Sequence, residues 1–217
     1  LPFEETYFDK RKYSEKEQLV KRHVLSVLKW SSKISKENLL CGKGKRALDV
    51  GCAYGYTSQV LTMLGYETIA LDVSAWGVHQ AKKGCNGEFL VCDAQTELPF
   101  EAGAFDLVTC FDVLEHLAHP ESALKSMFNV CGCIMVCTTP NRKVEKPIRK
   151  ITGDYDETHI NVKTPEEWET CIKQNLNSSF LRVESFHDFA GSVWGKPFFK
   201  SMRIPSYGLT VRIAIKK

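Results

Sequence analysis

Arg46-Ala-Leu-Asp-Val50 is an apolar run long enough for one buried strand and too short for a helix. It runs into Asp49-x-Gly51-x-Ala53-x-Gly55, after which Thr57 to Leu64 reads as a helix. A strand, a glycine-rich turn and a helix together bring backbone N–H groups and a helix N-terminus close to a ligand. Small residues recur at every second position here, with an acid two places before the first glycine. The turn is therefore not the G-x-G-x-x-G of dinucleotide-binding folds.

The same alternation continues along the chain. Strands are expected at Glu67–Asp72, Glu88–Cys92, Phe105–Cys110, Ile134–Thr138, Leu181–Phe186 and Leu209–Ile215, with helices at Trp76–Lys83 and Glu121–Val130. Another helix opens at Thr164-Pro-Glu-Glu-Trp168, with Thr at the cap and Pro in the first turn. Strands alternating with helices predict an α/β fold, a mostly parallel sheet with helices on both faces. Residues 1–43 read as an N-terminal helical extension, and 44–217 as the main domain. Ser14-Glu-Lys-Glu17 has capping-box spacing ahead of a stripe formed by Leu19, Val20, Val24, Leu25, Val27 and Leu28. The first reading of that stripe is a helix packed on the main domain.

Composition excludes several classes. A length of 217 residues suits one domain with a sizeable core, and 43% hydrophobic with 25% charged residues is ordinary for a globular protein. A net charge of +3 is too small to announce a polyanionic partner. No apolar run approaches a membrane span, and Leu-Pro-Phe-Glu-Glu at the start is not a secretory signal. The absent initiator Met suggests a trimmed or partial chain. The nine cysteines show no spaced zinc knuckles, and Cys92, Cys110, Cys133 and Cys137 fall in or beside apolar runs. A reducing, cytoplasmic compartment without disulfides is the economical expectation.

Ligands of open α/β sheets bind beyond the C-terminal strand ends. Asp72 ends the second strand about twenty residues past the first glycine, where a carboxylate accepts both hydroxyls of a ribose. Asp93 ends the third and is placed to accept a bond from an adenine amino group. Three further stretches follow: Asp93-Ala-Gln-x-x-Leu-Pro-Phe100, Ala104-Phe-Asp-Leu-Val108 and Asp112-Val-Leu-Glu-His-Leu117. With the glycine turn, they resemble class I S-adenosylmethionine-dependent methyltransferases, in particular the type-11-like small-molecule group that includes enzymes of quinone biosynthesis. The likeness covers roughly residues 44 to 140. It implies a Rossmann-like sheet of seven strands, the last one antiparallel, and S-adenosyl-L-methionine as cofactor. The candidate cofactor-binding set is Asp49, Gly51, Cys52, Ala53, Tyr54, Gly55, Asp72, Val73, Asp93, Ala94 and Phe111, with bulk at Gly51 expected to block the ligand. In this group an N-terminal extension often covers the mouth of the site, which makes Tyr7, Phe8, Arg11 and Tyr13 candidate lid residues.

Asp112-Val-Leu-Glu115-His116 stands at the mouth of that site and admits three readings. Asp112 and Glu115 form a helix cap and capping box beside His116, or His116 is a general base, or the acids and imidazole ligate a divalent metal as an acid-x-x-Glu-His segment does in some quinone-pathway relatives. His116 is the candidate catalytic residue, His159 the reserve, and no metal ligand is assigned. The basic run Arg142–Lys150 reads first as a solvated loop. The aromatic stretch Phe189–Phe199 reads either as a cover over the sheet edge or as a receiver for a hydrophobic acceptor with an anionic end. The acceptor is expected to be a small molecule methylated at oxygen. Nucleic acid is disfavoured because no Asn/Asp-Pro-Pro-aromatic motif follows the fourth strand. The rival readings are a non-catalytic S-adenosylmethionine-binding protein and an RNA methyltransferase.

Overall fold

The computed structural model describes residues 2–152, 156–193 and 196–217. Two short N-terminal elements, helix α1 (Glu5–Lys10) and a 3-10 turn (Tyr13–Lys16), lead into the long helix α2 (Glu17–Ser35). Then follow β1 (Arg46–Val50), α3 (Tyr56–Met63), β2 (Glu67–Asp72), α4 (Ala75–Gly84), β3 (Glu88–Val91) and β4 (Phe105–Phe111). A second 3-10 turn (Leu114–His116) precedes α5 (Pro120–Val130), β5 (Cys131–Pro140), α6 (Arg142–Thr152) and α7 (Pro165–Asn175). The chain closes with β6 (Phe180–Val193), β7 (Lys196–Arg203) and β8 (Thr210–Lys216). No described helix is long and apolar enough to cross a membrane.

The strands form one sheet in the order β3-β2-β1-β4-β5-β8-β6-β7. The first five named are parallel, and β8 enters antiparallel between β5 and β6. Strands such as β5 and β8 are buried along nearly their whole length, as expected where helices cover both faces. On one face Leu48, Val50, Ile69 and Leu71 pack with Leu124 and Met127 of α5 and with Trp168 and Ile172 of α7. On the other, Ala47, Leu107 and Ile134 pack with Val24, Val27 and Leu28 of α2 and with Val60 and Leu61 of α3. Alternation along each strand assigns the two sets to opposite faces. The stripe read from the sequence, apart from the exposed Leu19, thus docks α2 on the sheet.

Four expectations change. The sheet has eight strands, not seven, because β6 continues past Phe186 and pairs with β7 from Phe186↔Arg203 to Val193↔Lys196. The aromatic stretch therefore lies in this hairpin at the sheet's edge rather than over it, with residues 194 and 195 outside the described residues. The basic run is helix α6, not a loop. Asn141 Oδ1 accepts from Lys143 N at its start (3.1 Å), and Arg142 and Lys143 pair with Glu167 and Glu166 of α7. The capping box at Ser14 does not form, since Lys12 (φ 48°) turns the chain so that Ser14 falls in the 3-10 turn and α2 starts without a side-chain cap.

The capping box of α7 does form. Thr164 Oγ1 accepts from Glu167 N (3.3 Å), and Glu167 Oε2 accepts from Thr164 N (2.8 Å). Thr164→Ala should lower unfolding stability by about 1 kcal/mol in urea titrations; an unchanged midpoint would mean that Pro165 and packing of Trp168 alone define this end.

Candidate functional site

Three residues of the turn after β1 are left-handed: Gly51 (φ 78°), Ala53 (φ 46°) and Gly55 (φ 77°). Leu71 O accepts from the N–H groups of Gly51 and Cys52 at 2.8 and 3.0 Å, which ties the turn to β2. Asp72 completes the tie: Oδ2 accepts from Ala53 N (2.7 Å) and Oδ1 from Ser74 N (2.8 Å). Burial raises the Asp72 carboxyl above its ordinary range, and the backbone bonds from Ser74 and Ala53 partly offset that. Below the turn, Asp49 accepts from Ser58 Oγ (2.6 Å) and Thr109 Oγ1 (3.0 Å); burial lifts its pKa to about 6 despite those two bonds.

A cavity of about 990 Å³ opens beyond these strand ends. Of the candidate residues, Gly51, Ala53, Asp72, Val73, Asp93, Ala94, Phe111, His116 and His159 line it. Asp49, Cys52, Tyr54 and Gly55 stand behind its wall. A Cβ on Gly55 would meet Cys85 Sγ at 2.8 Å, so this glycine serves helix–sheet packing. A Cβ on Gly51 would lie 2.1 Å from Cγ2 of Val113, itself a residue of the cavity wall, so a side chain there must displace that wall. Asp93 Oδ1 accepts from Gln95 N (2.9 Å), and its carboxylate borders the cavity beside Ala94.

The N-terminal segment closes one side. Phe3, Tyr7, Phe8, Arg11 and Tyr13 line the cavity, Phe3 O accepts from Ser74 Oγ (2.5 Å), and Arg11 pairs with Asp156 (2.8 Å). Phe8 and Tyr13 sit 5.0 and 5.2 Å from the ring of Tyr54. Burial, then the nearby Asp156, pushes the Tyr7 phenol up to about 12.

The third wall departs from the capping reading of residues 112–116. Asp112 takes a left-handed φ of 54°, and its carboxylate accepts from Thr138 Oγ1 (3.1 Å) instead of capping a helix. Glu115 makes no capping bond either. It is fully buried, neither carboxylate oxygen makes a well-formed hydrogen bond among the described residues, and burial followed by Asp112 drives its pKa well above the ordinary range against a smaller opposing pull from the Thr139 hydroxyl. Next to it, His116 Nδ1 lies 2.9 Å from Thr158 Oγ1 and 3.2 Å from Thr158 O. Thr158 Oγ1 donates its own proton to Asp156 Oδ1 at 2.5 Å, so Nδ1 carries a hydrogen and Nε2 is left bare. Nε2 is 4.0 Å from Glu115 Oε1. Burial, then His159, lowers the His116 pKa to about 4. His159 stacks edgewise on His116 at 4.7 Å and bonds Glu145 through Nδ1 (2.5 Å). Donor atoms of Glu115, His116 and His159 fall within 4.8 Å of one another, a spacing a divalent cation can span.

Reading the sequence missed Asp156, Glu145, and the pair His23 and Asp188, all brought to this site from distant elements. Only His23 carried a signal: it lies on the buried stripe of α2, three residues after Val20.

A family model described as a methyltransferase domain matches residues 22–175. The ubiquinone biosynthesis O-methyltransferase of Burkholderia orbicola (strain MC0-3) is 28% identical over 151 residues, covering 66% of this chain and 65% of that protein. That of Marinobacter nauticus is 30% identical over 148 residues, covering 64% and 62%. The match thus spans just under two thirds of the length of these relatives. Among solved structures, a SAM dependent methyltransferase from Archaeoglobus fulgidus aligns with a TM-score of 0.71 at 17% identity, covering 98% of this chain and 100% of that one. Magnesium protoporphyrin IX methyltransferase from Synechocystis PCC 6803 with bound SAH aligns at 0.64, also at 17% identity, covering 100% and 97%. Both likenesses show the fold.

A buried carboxyl with a raised pKa binds its proton more tightly in the folded state, so it favours folding most below its unfolded value and less as pH rises. Glu115→Gln should therefore raise Tm at pH 7 in metal-free buffer, with the gain shrinking as pH falls toward the ordinary 4.5. A gain independent of pH, or a loss, would show that Glu115 has an ionic partner in solution.

Proposed function

The chain belongs to the methyltransferase-domain family, and we propose that it transfers a methyl group from S-adenosyl-L-methionine to an oxygen of a small-molecule acceptor. One observation carries this reading. The cavity has two carboxylates, Asp72 and Asp93, on adjacent strand ends with Val73 and Ala94 between them, and a wall of acid and imidazole opposite. The first wall fits a purine ribonucleoside: a carboxylate for the ribose hydroxyls, apolar contacts for the base and an acceptor for its amino group. The second wall borders the remaining space, where an acceptor would sit.

The methyl carbon is already activated by the sulfonium, so the protein aligns the reactants and excludes water. A lone pair of the acceptor oxygen forms the new C–O bond, and the C–S electrons return to sulfur. The hydroxyl proton passes to His116 Nε2. A base with a pKa near 4 suffices because the oxygen becomes strongly acidic as the methyl arrives, and such an imidazole stays neutral and ready at physiological pH. Thr158 and Asp156 hold the ring with Nε2 inward. The orphaned carboxylate of Glu115 with His116 and His159 also fits a divalent cation, which would polarise the acceptor oxygen when bound. We treat residues 1–43 as the lid, with Phe3, Phe8 and Tyr13 covering the cofactor side. The ion pairs of Arg142 and Lys143 with α7 leave these two cations less available to phosphates, which speaks against RNA. All nine cysteines are free, which supports a reducing, cytoplasmic setting.

Purified protein should convert labelled S-adenosyl-L-methionine to its demethylated product with a member of a hydroxyl-bearing acceptor panel. His116→Ala should leave cofactor affinity intact and slow turnover by roughly 10²–10⁴-fold. Turnover that survives the substitution would remove His116 from the chemistry, and a chelator that stops the wild type equally would move the role to a bound cation. A chain that binds the cofactor but turns over with no acceptor would be a binding protein only.

A further inference from the structure

A second imidazole–carboxylate pair borders the same cavity, away from Glu115 and His116. His23 comes from α2 and Asp188 from β6, and His23 Nδ1 lies 2.6 Å from Asp188 Oδ2. The carboxylate only accepts, so Nδ1 carries the hydrogen, and in the neutral ring Nε2 is the bare nitrogen. The imidazole is clamped: its ring stacks on Phe186 at 5.7 Å (22° between planes) and meets Phe111 edgewise at 6.1 Å. Asp188 is fixed by its strand, paired in register with Ser201 of β7.

Three polar atoms of this group are buried without a hydrogen-bond partner among the described residues: His23 Nε2, Asp188 Oδ1 and Ser201 Oγ. Cross-strand partners share a face, so the side chains of Asp188 and Ser201 stand side by side. A single buried orphan costs on the order of 1–3 kcal/mol, and three orphans in one cluster, two of them on residues that line the cavity, are the signature of a site completed by a ligand.

We propose that His23 and Asp188, with Ser201 beside them, form a recognition site for a hydroxyl on the acceptor remote from the oxygen that is methylated. The inference rests on the small-molecule reading above and deepens it by naming a feature of the acceptor. A hydroxyl matches the chemistry. It donates to the bare Nε2 and accepts from the Ser201 hydroxyl, while Asp188 holds the imidazole in the required tautomer. A carboxylate or phosphate does not match: Asp188 Oδ1 would face it with like charge, and the cation nearby, Arg212, is already paired with Glu184 at 2.5 Å. Leu19, Val20, Phe111 and Leu209 border the cavity nearby, so the scaffold carrying that hydroxyl is apolar. The site thus selects an apolar phenol or alcohol bearing a second hydroxyl, rather than an acceptor with an anionic end.

The test separates binding from turnover. Wild type, His23→Gln and Asp188→Asn, each loaded with S-adenosylhomocysteine, are titrated calorimetrically with two matched series, alkyl phenols and ω-hydroxyalkyl phenols of stepped chain length. We expect at least one hydroxylated member to bind the wild type about tenfold or more tightly than its alkyl partner, and both substitutions to erase the preference without altering affinity for S-adenosylhomocysteine. Circular dichroism and Tm of each variant identify misfolding, and Ser201→Ala serves as the conservative third variant, expected to lose part of the preference. Equal binding of the two series by wild type, no binding of either, or a preference that survives in folded His23→Gln would overturn the proposal. Methyl transfer is assayed separately: a retained hydroxyl preference with no transfer to any phenol would leave the recognition site standing and overturn the methyl-transfer reading instead.

Discussion

The buried carboxylate of Asp49 ties together the three elements that carry the site. It stands in β1, accepts from Ser58 of α3 and from Thr109 of β4, and lies directly beneath the glycine turn. Its pKa of about 6 records the tension: burial disfavours the charge, and two hydroxyl donors make the ionised form tolerable near neutral pH. Either hydroxyl removed alone would leave an under-solvated charge between strand and helix, which costs more than a surface bond. The turn above it depends on this clamp, since three consecutive alternate residues with positive φ, one of them alanine, persist only where surrounding bonds over-determine them. Asp72 supplies the second clamp from β2.

From that fixed turn the chemistry is distributed by the sheet. Parallel strands β1 to β4 end on one edge, so Asp72, Asp93 and Asp112 converge although 40 residues of sequence separate the first from the last. The far wall comes from elsewhere: His116 and Glu115 from the turn after β4, Asp156 and His159 from the segment before α7, His23 from α2 and Asp188 from β6. On the cofactor side the carboxylates of Asp49, Asp72 and Asp93 all accept hydrogen bonds from neighbouring groups, which makes a rigid platform. The acceptor side holds buried unpaired groups on Glu115, His23 and Asp188, and buried polar atoms beside a cavity are ones a ligand can satisfy. Arg11, bonded to Asp156, connects the N-terminal segment to that side.

How much of this was legible in the sequence follows from range. The glycine turn, the strand-end acids and the α7 cap are local patterns, with their partners within a few residues or at a fixed strand end, and they stand where the spacing put them. The capping readings at Ser14 and Asp112 failed because a local spacing met a tertiary demand. A left-handed Lys12 turns the chain so that Tyr13 reaches the cavity, and a left-handed Asp112 turns its carboxylate to Thr138. The β6–β7 hairpin was hidden because its aromatic density looked like a cover over the sheet edge. The basic run is a helix whose first two residues, Arg142 and Lys143, pair with α7. The His23–Asp188 pair joins residues 165 positions apart, and no pattern in one sequence announces such a contact beyond a lone histidine on an apolar stripe.

The central claim is that the turn after β1 and the ends of β2 and β3 hold S-adenosyl-L-methionine with its reactive end toward Glu115 and His116. A crystal structure of the protein grown with S-adenosylhomocysteine tests it most directly. The account predicts both ribose hydroxyls on the Asp72 carboxylate, the adenine beside Ala94 and Asp93, and the sulfur facing the Asp112–His116 wall. A ligand lodged elsewhere, or turned so that its sulfur points away from that wall, would contradict it.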